Sequence, residues 1–566
     1  MKFKEFAEYL ERLEGTSSRL AITGILVELL KKLSSRESRV ATYLVTGRVT
    51  PDFDPTEFGM AVKMVVRAVA SALGKETDEI EKKYKKVGDM GLLVKEMDFG
   101  KVEESLTVSE VHKKLLNMAN DSGVGSQERK VEALRDLLGL AGPDERKYIV
   151  RIVLGKLRLG FSAKTIFDAL SQMEKGDKSL RKELDGRFQM FPDVGVLVEQ
   201  VKETGIEGLS RVGVKNGVPV LPALCQRLNN YQEIIKKMKD VAVERKYDGT
   251  RVQIHFSRKR NELKTYTRNL EENSWMFPEL KNIGDWIKGG DVILDTEAVG
   301  VDPKTGKVLP FQMTITRKRK HGIEETSKNV PLKFFVFDIL AKDGRGLLER
   351  PYSERRKTLD ETVGANKVLV VNGFERTSEA KEIERMHEQY LLEGHEGAVI
   401  KKWDGTYLPG RQGWNWVKIK EAQGSTGKLS DTFDLVVMGY YLGRGKRAGF
   451  GIGAFLVGLV REGRWVSVAK IGTGLSDEDF RELKKKLEKY SVKEMPKNYE
   501  VTGMLVPDIW VSPTVVVEIA ADEITKSPAH AGGVALRFPR LVKFRDDKGP
   551  DQATTWKELK EIGKIV

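Results

Sequence analysis

Apolar residues recur at helical spacing through about the first 215 residues of the chain. Phe3, Phe6 and Leu10 lie three or four positions apart, so they share one face of a helix. Ser17 and Ser18 offer an N-cap for the amphipathic segment that follows. The same spacing predicts further helices over residues 57–73, 77–86, 108–120, 128–140, 144–155, 163–174 and 178–188. No short repeat connects them, which favours an all-helical domain over a solenoid.

Strand-like patterns replace the helical ones after a proline- and glycine-rich segment at 217–228. From about 240 to 420, strand-like and helix-like runs alternate, which predicts an α/β or α+β domain. After a second flexible stretch at 421–430, a helix is predicted over 477–487 and short strands over 435–441, 454–460, 465–468 and 514–519. This pattern favours a small β-barrel such as an OB-fold. We therefore predict a multidomain α and α+β protein, joined by mobile linkers into domains at 1–216, 217–420 and 421–566.

Two alternating runs in the middle of the chain enclose a candidate nucleophile. Val241 and Val243 alternate with less apolar residues, as in a half-buried strand, and residues 252–256 resume the alternation. Between them, Asp248-Gly249 is a turn signal, so the pattern predicts a tight hairpin. Lys246 then lies at the end of the first strand.

The residues around Lys246 follow the pattern Lys-x-Asp-Gly-x-Arg, which ends at Arg251. A lysine is nucleophilic only as the free amine, so its pKa must be lowered. Burial and the neighbouring cations Arg245 and Arg251 are the expected causes. A second Lys-x-Asp-Gly begins at Lys402, but Tyr407 stands where the arginine would be. The first copy is therefore the better candidate.

Composition favours a polyanionic partner. The 566 residues carry a net charge of +14 and a sequence pI near 9.3, although a solvated basic surface would give the same numbers. The single cysteine, Cys225, excludes an internal disulfide framework and a four-cysteine zinc site. The N-terminus does not have a signal-peptide pattern, and no run of about eighteen apolar residues occurs. We expect a cytoplasmic protein without a membrane partner.

Two loops in the helical region are candidates for binding phosphate. In the stretch 121–130, glycines and Ser126 precede a helix whose first turn carries Arg129 and Lys130. A helix N-terminus offers free N–H groups and the positive end of the helix dipole to an anion. A capped helix after a flexible loop explains the stretch equally well. The second candidate is the segment 155–161, where Arg158 alternates with apolar residues.

Further short motifs follow the Lys246 motif in order. Lys418 and Lys420 share one strand face, because side chains at i and i+2 point the same way. The motifs are Tyr266-Thr-Arg268, Leu294-Asp-Thr-Glu297, Phe334-Phe-Val-Phe337-Asp338, Glu396-Gly-Ala-Val-Ile-Lys401, Trp416-Val-Lys418-Ile-Lys420 and Arg545-Asp-Asp-Lys548.

Together these motifs resemble the covalent nucleotidyltransferase superfamily, and most closely its ATP-dependent DNA ligases of the archaeal and eukaryotic replicative type. The resemblance covers nearly the whole chain. The helical region resembles their DNA-binding domain, especially at 157–160, and the stretches 443–447 and 470–474 resemble their OB domain. The resemblance implies three steps. Lys246 takes AMP from ATP, the AMP passes to the 5′-phosphate of a DNA nick, and the 3′-hydroxyl then expels it.

The resemblance also implies roles in binding the nucleotide. Phe337 would stack on adenine, Glu244 would meet the adenine edge, and Glu297 would bind the ribose or a metal. Arg545 and Lys548 would orient the pyrophosphate when the C-terminal domain closes. Arg251 and Arg268 would hold the ribose and phosphates, or the DNA 5′-phosphate. Lys418 and Lys420 would neutralise the α-phosphate, and Lys401 and Arg411 are further candidates for contacting phosphate. A packing role for Phe337 and a solvent-exposed role for Arg411 stay open.

The implied cofactors and partners are ATP, Mg²⁺ with Mn²⁺ as an alternative, and nicked duplex DNA bound by a monomer. The metal would be held by the carboxylates Asp295, Glu297 and Glu396, although Asp295 could also be a turn residue. DNA would be held by Ser126, Arg129, Lys130, Arg158, Arg444, Lys446 and Arg447. Docking on a sliding clamp stays open, since residues 94–99 lack the glutamine and second aromatic of the docking motif.

Other classes of protein fit less well. An mRNA capping guanylyltransferase shares the lysine motif but uses GTP and lacks a long helical domain, and RNA ligases are usually shorter. An NAD-dependent DNA ligase carries a cysteine zinc finger that this chain cannot build. A non-catalytic nucleic-acid-binding scaffold would explain the charge but not the ordered motifs.

Overall fold

The N-terminal region is helical, as its apolar periodicity predicts. The structure is a computed structural model that describes residues 1–562 except 101–105, 158, 229, 316, 318–322, 421–431, 444 and 474. The helices of this region are α1 (Phe3–Glu14), α2 (Arg19–Lys32), α3 (Ser35–Val45), α4 (Val62–Leu73), α5 (Thr77–Val87), α6 (Met90–Glu96), α7 (Val108–Asn120), α8 (Ser126–Leu140), α9 (Pro143–Val153), α10 (Ala163–Lys175), α11 (Arg181–Met190) and α12 (Val194–Thr204).

Local capping explains several of these boundaries. Ser18 caps α2, since its side chain accepts a hydrogen bond from the N–H of Ala21. The unpredicted helix α3 begins with a capping box between Ser34 and Glu37, a signal that the sequence does contain. The helix predicted from residue 57 begins only at α4, because Ala61 is still extended and serves as the N-cap.

Helix α9 is buried continuously from Glu145 to Val153, charged residues included. Its Lys147 bonds Glu11 at 2.8 Å, and its Arg151 bonds Glu14 at 2.9 Å and Asp89 at 3.1 Å. A buried charge is tolerated only when it is paired, so these contacts fix α9 against its neighbours.

The middle region contains two sheets. Their strands are β1 (Gln226–Arg227), β2 (Val241–Arg245), β3 (Thr250–Ser257), β4 (Glu262–Thr267), β5 (Val292–Gly300), β6 (Leu332–Lys342), β7 (Arg345–Gly346), β8 (Leu369–Val371), β9 (Phe374–Thr377), β10 (Gly397–Lys402) and β11 (Trp416–Lys420). The first sheet has the strand order β1-β11-β10-β2-β9, and the second has the order β4-β3-β5-β6-β7, with β8 also pairing with β6. Between the strands in sequence lie the helices α13 (Tyr231–Met238), α14 (Phe311–Ile315), α15 (Ile323–Asn329), α16 (Tyr352–Thr362) and α17 (Ala380–Leu392).

The predicted hairpin around Lys246 is wrong. Strand β2 pairs with β9 and β10, whereas β3 pairs with β4 and β5. Residues 246–249 therefore pass from one sheet to the other. Gly249 is required at this crossing, because an added Cβ would lie 2.4 Å from the carbonyl oxygen of Ala298 on β5. The alternating pattern located both strands but could not show that their partners lie far away in sequence.

The segment before β1 is fixed on the second sheet, in contrast to the mobile linker expected near residue 217. Asn216 Nδ2 donates to the Phe256 carbonyl at 2.8 Å. The N–H of Gly217 donates to His255 Nδ1 at 3.1 Å. Gln253 forms a pair of bonds with the backbone of Val220, at 2.8 and 3.0 Å. The other predicted linker, at 421–430, lies outside the described residues.

The chain divides into two compact units, Met1–Ile419 and Lys420–Val566. The second contains the predicted short strands, in the order β15-β17-β12-β13-β14-β16, with β18 joining β12 to β21 and with β19 paired to β20. Its elements are β12 (Phe433–Tyr441), β13 (Ala454–Arg461), β14 (Arg464–Ile471), α18 (Asp477–Glu488), β15 (Ser491–Val492), β16 (Tyr499–Glu500), β17 (Ile509–Val511), β18 (Val516–Ala520), β19 (Glu523–Lys526), β20 (Val534–Arg537), β21 (Arg540–Phe544) and α19 (Trp556–Ile562). Among the described residues, no helix combines the length and apolar character needed to cross a membrane.

A fully buried ion pair joins β6 to α16. Arg355 donates from Nε and Nη2 to the two carboxylate oxygens of Asp338, at 2.8 and 2.9 Å, and both side chains are 0% exposed. Breaking such a pair from one side leaves an uncompensated charge in the core.

We predict that Asp338→Ala lowers the free energy of unfolding by about 3–5 kcal/mol, measured by urea unfolding followed through tryptophan fluorescence. The matched control is Asp240→Ala, which removes an exposed pair with Arg376 and should leave the stability close to that of the wild type. If the two variants lose the same free energy of unfolding, burial does not make the Asp338–Arg355 pair more important than an exposed pair. Replacing both Asp338 and Arg355 by apolar residues should recover most of the loss.

Candidate active site

Lys246 lies directly after β2 and next to the beginning of β10. Its backbone N–H donates to the carbonyl of Gly397 at 3.0 Å, and its own carbonyl accepts from the N–H of Glu396 at 3.0 Å. The side chain is 20% exposed, and its ammonium group is paired with the Glu396 carboxylate. The backbone pairing therefore brings the candidate nucleophile and a carboxylate together.

The pKa of Lys246 is raised rather than lowered, which corrects the sequence-based expectation. Burial lowers this pKa, but the Glu396 carboxylate outweighs burial and favours the charged form. The two arginines expected to lower it are paired elsewhere. Arg245 bonds Glu393 at 2.7 Å, and Arg251 bonds Asp295 at 2.6 Å. Lys246 is thus protonated as long as Glu396 holds it.

Glu297 on β5 favours its uncharged form, whereas Lys246 favours its charged form. Burial raises the pKa of Glu297 to about 7, and the nearby cations Lys246 and Arg251 only partly oppose this effect. The carboxylates of Asp295 and Glu396 add to the increase. A buried carboxylate close to other carboxylates favours an added proton or an added cation.

Two of the three predicted metal ligands have the chemistry for Mg²⁺. Glu297 and Glu396 are close enough to influence each other's charge, and Mg²⁺ is commonly bound by one or two carboxylates together with substrate phosphates. Asp295 does not fit, since its two oxygens accept from Arg251 and Tyr407. Within the described residues, no group of three or more His, Cys, Asp or Glu side chains forms a complete metal cage.

Glu244 and Lys401 form a buried network, which makes the predicted phosphate contact of Lys401 wrong. Lys401 is 0% exposed and donates to Glu244 at 2.8 Å and to the carbonyl of Phe337 at 2.5 Å. Glu244 also accepts from Tyr352, and from Asn372 at 3.1 Å. Lys401 therefore neutralises Glu244. Tyr352 and Asn372 belong to distant segments, and the sequence contains no local signal for them.

Aromatic side chains connect the two sheets around these charges. Phe337 is half-buried, 5.9 Å from the ring of Trp416, and its ring lies 5.3 Å from the Arg251 guanidinium carbon. Tyr247 stacks on Phe335, which also belongs to β6, at 3.8 Å. The residue following the candidate nucleophile is thereby fixed to β6.

The remaining predicted phosphate contacts have side chains that are half-buried or exposed. Lys418 and Lys420 are half-buried and alternate with fully buried residues of β11, so they share the less buried face, as predicted. Arg268 and Arg411 are exposed, and no carboxylate in the described part of the chain pairs with either.

The predicted DNA contacts of the helical region differ in how exposed their side chains are. Ser126 begins α8, and Arg129 is half-exposed but bonded to Asp121 at 2.9 Å. Lys130 is wrong as a phosphate ligand, because it is 8% exposed and donates to the carbonyl of Phe58 at 2.8 Å. Basic character alone could not reveal this burial. Arg158 lies outside the described residues.

In the second unit, Arg447 is exposed and donates to the Gly453 carbonyl at 2.8 Å. Arg444 and the side chain of Lys446 lie outside the described part of the chain. Arg545 contacts both oxygens of Asp434 at 2.8 and 3.0 Å, and Lys548 contacts the same carboxylate at 2.6 Å. The two cations predicted to meet pyrophosphate are therefore already neutralised within this unit.

Comparison with known proteins agrees with this architecture. Three family models match in order: the DNA ligase N terminus at residues 2–171, the ATP dependent DNA ligase domain at 222–420, and the ATP dependent DNA ligase C terminal region at 448–548. A probable DNA ligase of Dictyoglomus thermophilum is 42% identical over 99% of this chain and 97% of its own. DNA ligase 1 of Methanosarcina mazei is 36% identical over 99% of both chains.

The solved structure Pmar-Lig_Pre has the same fold, with a TM-score of 0.53 at 18% identity over 96% of this chain and 99% of that chain. The shared fold and the three matched domains together define a multidomain nucleotidyltransferase. The chain belongs to the ATP-dependent DNA ligase family, as the ordered motifs had indicated.

We predict that Glu297→Gln stabilises the protein at alkaline pH. The folded-state pKa of about 7 exceeds the ordinary value of 4.5, so the wild type loses stability as the pH rises between these values. Above pH 7 the neutral glutamine should add at most roughly 3 kcal/mol, at about 1.4 kcal/mol per pKa unit. Thermal melting at pH 5 and pH 8 measures this difference.

The matched control for this measurement is Glu354→Gln, an exposed carboxylate at the start of α16. Its melting temperature should stay close to that of the wild type at both values of pH. If Glu297→Gln changes the melting temperature by the same amount at pH 5 and at pH 8, folding does not raise the pKa of Glu297.

Proposed function

We propose that this ATP-dependent DNA ligase seals nicks in duplex DNA through AMP linked to Lys246 and then to the 5′-phosphate of the nick. The observation that carries the proposal is the position of Lys246, at the crossing between two sheets and in contact with Glu396. Family membership supplies the reaction, and the geometry supports Lys246 as the residue that performs it.

In the first step, the Lys246 amine attacks the α-phosphorus, an N–P bond forms, and the bond to pyrophosphate breaks. The amine must first lose its third proton, and Glu396 is the carboxylate in contact with it. Glu297 and Glu396 would hold Mg²⁺, whose charge would offset that of the phosphates. Once Glu396 is engaged elsewhere, a main influence that raises the pKa of Lys246 is removed, while burial still favours the free amine.

We assign the nucleotide to the surface between the sheets. Phe337 offers a half-buried ring for the base, and Glu244 lies in the adjoining network. The cations that would neutralise the phosphates, or the 5′-phosphate of DNA, are Arg251, Arg268, Arg411, Lys418 and Lys420. For Arg545 and Lys548 to orient pyrophosphate, the phosphates would replace Asp434 as their partner.

The proposed domain organisation is a helical DNA-binding domain at 1–216, a nucleotidyltransferase domain at 217–420 and an OB-fold domain at 421–566. The compact units, which divide after Ile419, support the second boundary. DNA phosphates would meet the loop before α8, where Val124 is 100% exposed, and the exposed Arg447. We propose that the enzyme acts as a monomer.

We predict that incubation with Mg²⁺ and ATP labelled on the α-phosphate gives a labelled protein band on a denaturing gel, and that nicked DNA discharges it. Lys246→Ala should abolish the band, because the N–P bond can no longer form. The matched control is Lys402→Ala, which alters the second Lys-x-Asp-Gly copy and should still be labelled.

Other outcomes of this labelling experiment would contradict the proposal. A band that forms only with GTP would indicate capping chemistry, and discharge only by RNA would indicate an RNA ligase. Labelling of Lys246→Ala with loss of labelling in Lys402→Ala would move the nucleophile to the second motif.

We also predict that the affinity for nicked duplex falls steeply with salt, because binding to phosphates releases counterions. Fluorescence anisotropy between 50 and 200 mM salt should give a linear relation between log affinity and log salt. Arg447→Ala should reduce the slope by about 1. The exposed Arg376 is paired with Asp240, so Arg376→Ala should leave the slope unchanged. A flat response in the wild type would exclude phosphate contacts as the basis of binding.

A further inference from the structure

We propose that Tyr407 is a positioning residue for the ligase reaction, whose hydroxyl holds the Arg251 guanidinium so that one of its N–H groups is presented to a phosphate or ribose oxygen. This inference rests on the proposed function of Arg251 and goes beyond it. Tyr407 is the residue that interrupts the second copy of the lysine motif, where the first copy has Arg251.

The hydroxyl of Tyr407 uses its full hydrogen-bonding capacity. It donates to Asp295 Oδ2 at 2.8 Å and accepts from Arg251 Nη2 at 3.1 Å and from the N–H of Ala223 at 2.9 Å. A tyrosine hydroxyl offers one donor and two lone pairs, so all three are occupied. The side chain is 2% exposed. Phenylalanine at this position would remove one hydrogen bond from each of the three groups that the hydroxyl contacts.

Arg251 is held by the same cluster through four of its five N–H protons. Nε and Nη2 donate to Asp295 at 2.9 and 2.6 Å, Nη2 donates to Tyr407, and Nη1 donates to the Ala223 carbonyl at 2.6 Å. In the described part of the chain, the second proton of Nη1 has no acceptor. The side chain is 15% exposed and thus only partly withdrawn from solvent. The guanidinium is therefore fixed before the ligand arrives, which lowers the entropic cost of the contact.

The cluster joins three parts of the middle region that are distant in sequence. Ala223 belongs to the segment before β1, Arg251 to β3 and Asp295 to β5, and Tyr407 joins them from the loop between β10 and β11. Burial and the Asp295 carboxylate raise the pKa of Tyr407 well above its usual value, so the hydroxyl keeps its proton at neutral pH. Tyr407 thus acts as a fixed link.

The test is a double-mutant cycle of Tyr407→Phe and Arg251→Ala, in the full chain. Phenylalanine keeps the ring contact with Trp416, at 5.4 Å, and removes only the hydroxyl. Single-turnover rates of Lys246 adenylation and of sealing a pre-adenylated nick are measured, and each rate is normalised to the amplitude of active enzyme. With this normalisation, a loss of folded enzyme is not mistaken for a slower reaction.

If Tyr407 acts through Arg251, Tyr407→Phe slows at least one of the two steps by about 10- to 100-fold, as expected for a lost hydrogen bond to a charged group. In the Arg251→Ala background, the same substitution should slow that step less than about twofold. Equal factors in both backgrounds would overturn the positioning role, because independent effects multiply.

The matched control is Tyr148→Phe. That tyrosine is also fully buried, and its hydroxyl donates to Glu14 in the helical region at 2.9 Å, so both step rates should be unchanged. If Arg251→Ala slows neither step, the proposed function of Arg251 itself fails. If Arg251→Ala is slow and Tyr407→Phe is as fast as the wild type, only the positioning role of Tyr407 is wrong.

Discussion

The candidate active site depends on pairing between buried charges, with one such pair in each of the two sheets. Lys246 leaves the first sheet and pairs with Glu396, while Arg251 begins a strand of the second sheet and pairs with Asp295. Separating such charges inside a protein costs several kcal/mol, so each pair fixes the relative position of the two segments that supply it. The same contacts that stabilise the fold therefore also set the geometry of the groups that react.

The contact with Glu396 also controls the reactivity of Lys246. In the ligand-free enzyme the ammonium form is favoured, and a protonated lysine does not attack other electrophiles. Glu297 has the opposite tendency, since burial keeps a proton on it up to a pH of about 7. A cation held by the two carboxylates would weaken both effects, which would couple the reactivity of Lys246 to the presence of that cation.

Sequence alone predicted most helices and the order of the motifs, because these depend on local periodicity or on residues close together in the chain. It failed where partners are distant. The hairpin at Asp248-Gly249 is a crossing between sheets, and Tyr352 and Asn372 reach Glu244 from remote segments. Lys130 and Lys401 belong to motifs that predict phosphate contacts, but their burial follows from packing that no local pattern records.

The attachment of residues 216–223 to the second sheet has a consequence for how the enzyme engages DNA. Gln253 and His255 hold this segment, so the free connection to the helical region is shorter than the sequence suggests. A short connection confines two binding modules to a small volume and raises the effective concentration of the second once the first is bound. Contacts that are weak individually can then combine into strong binding, while each can still release quickly after the nick is sealed.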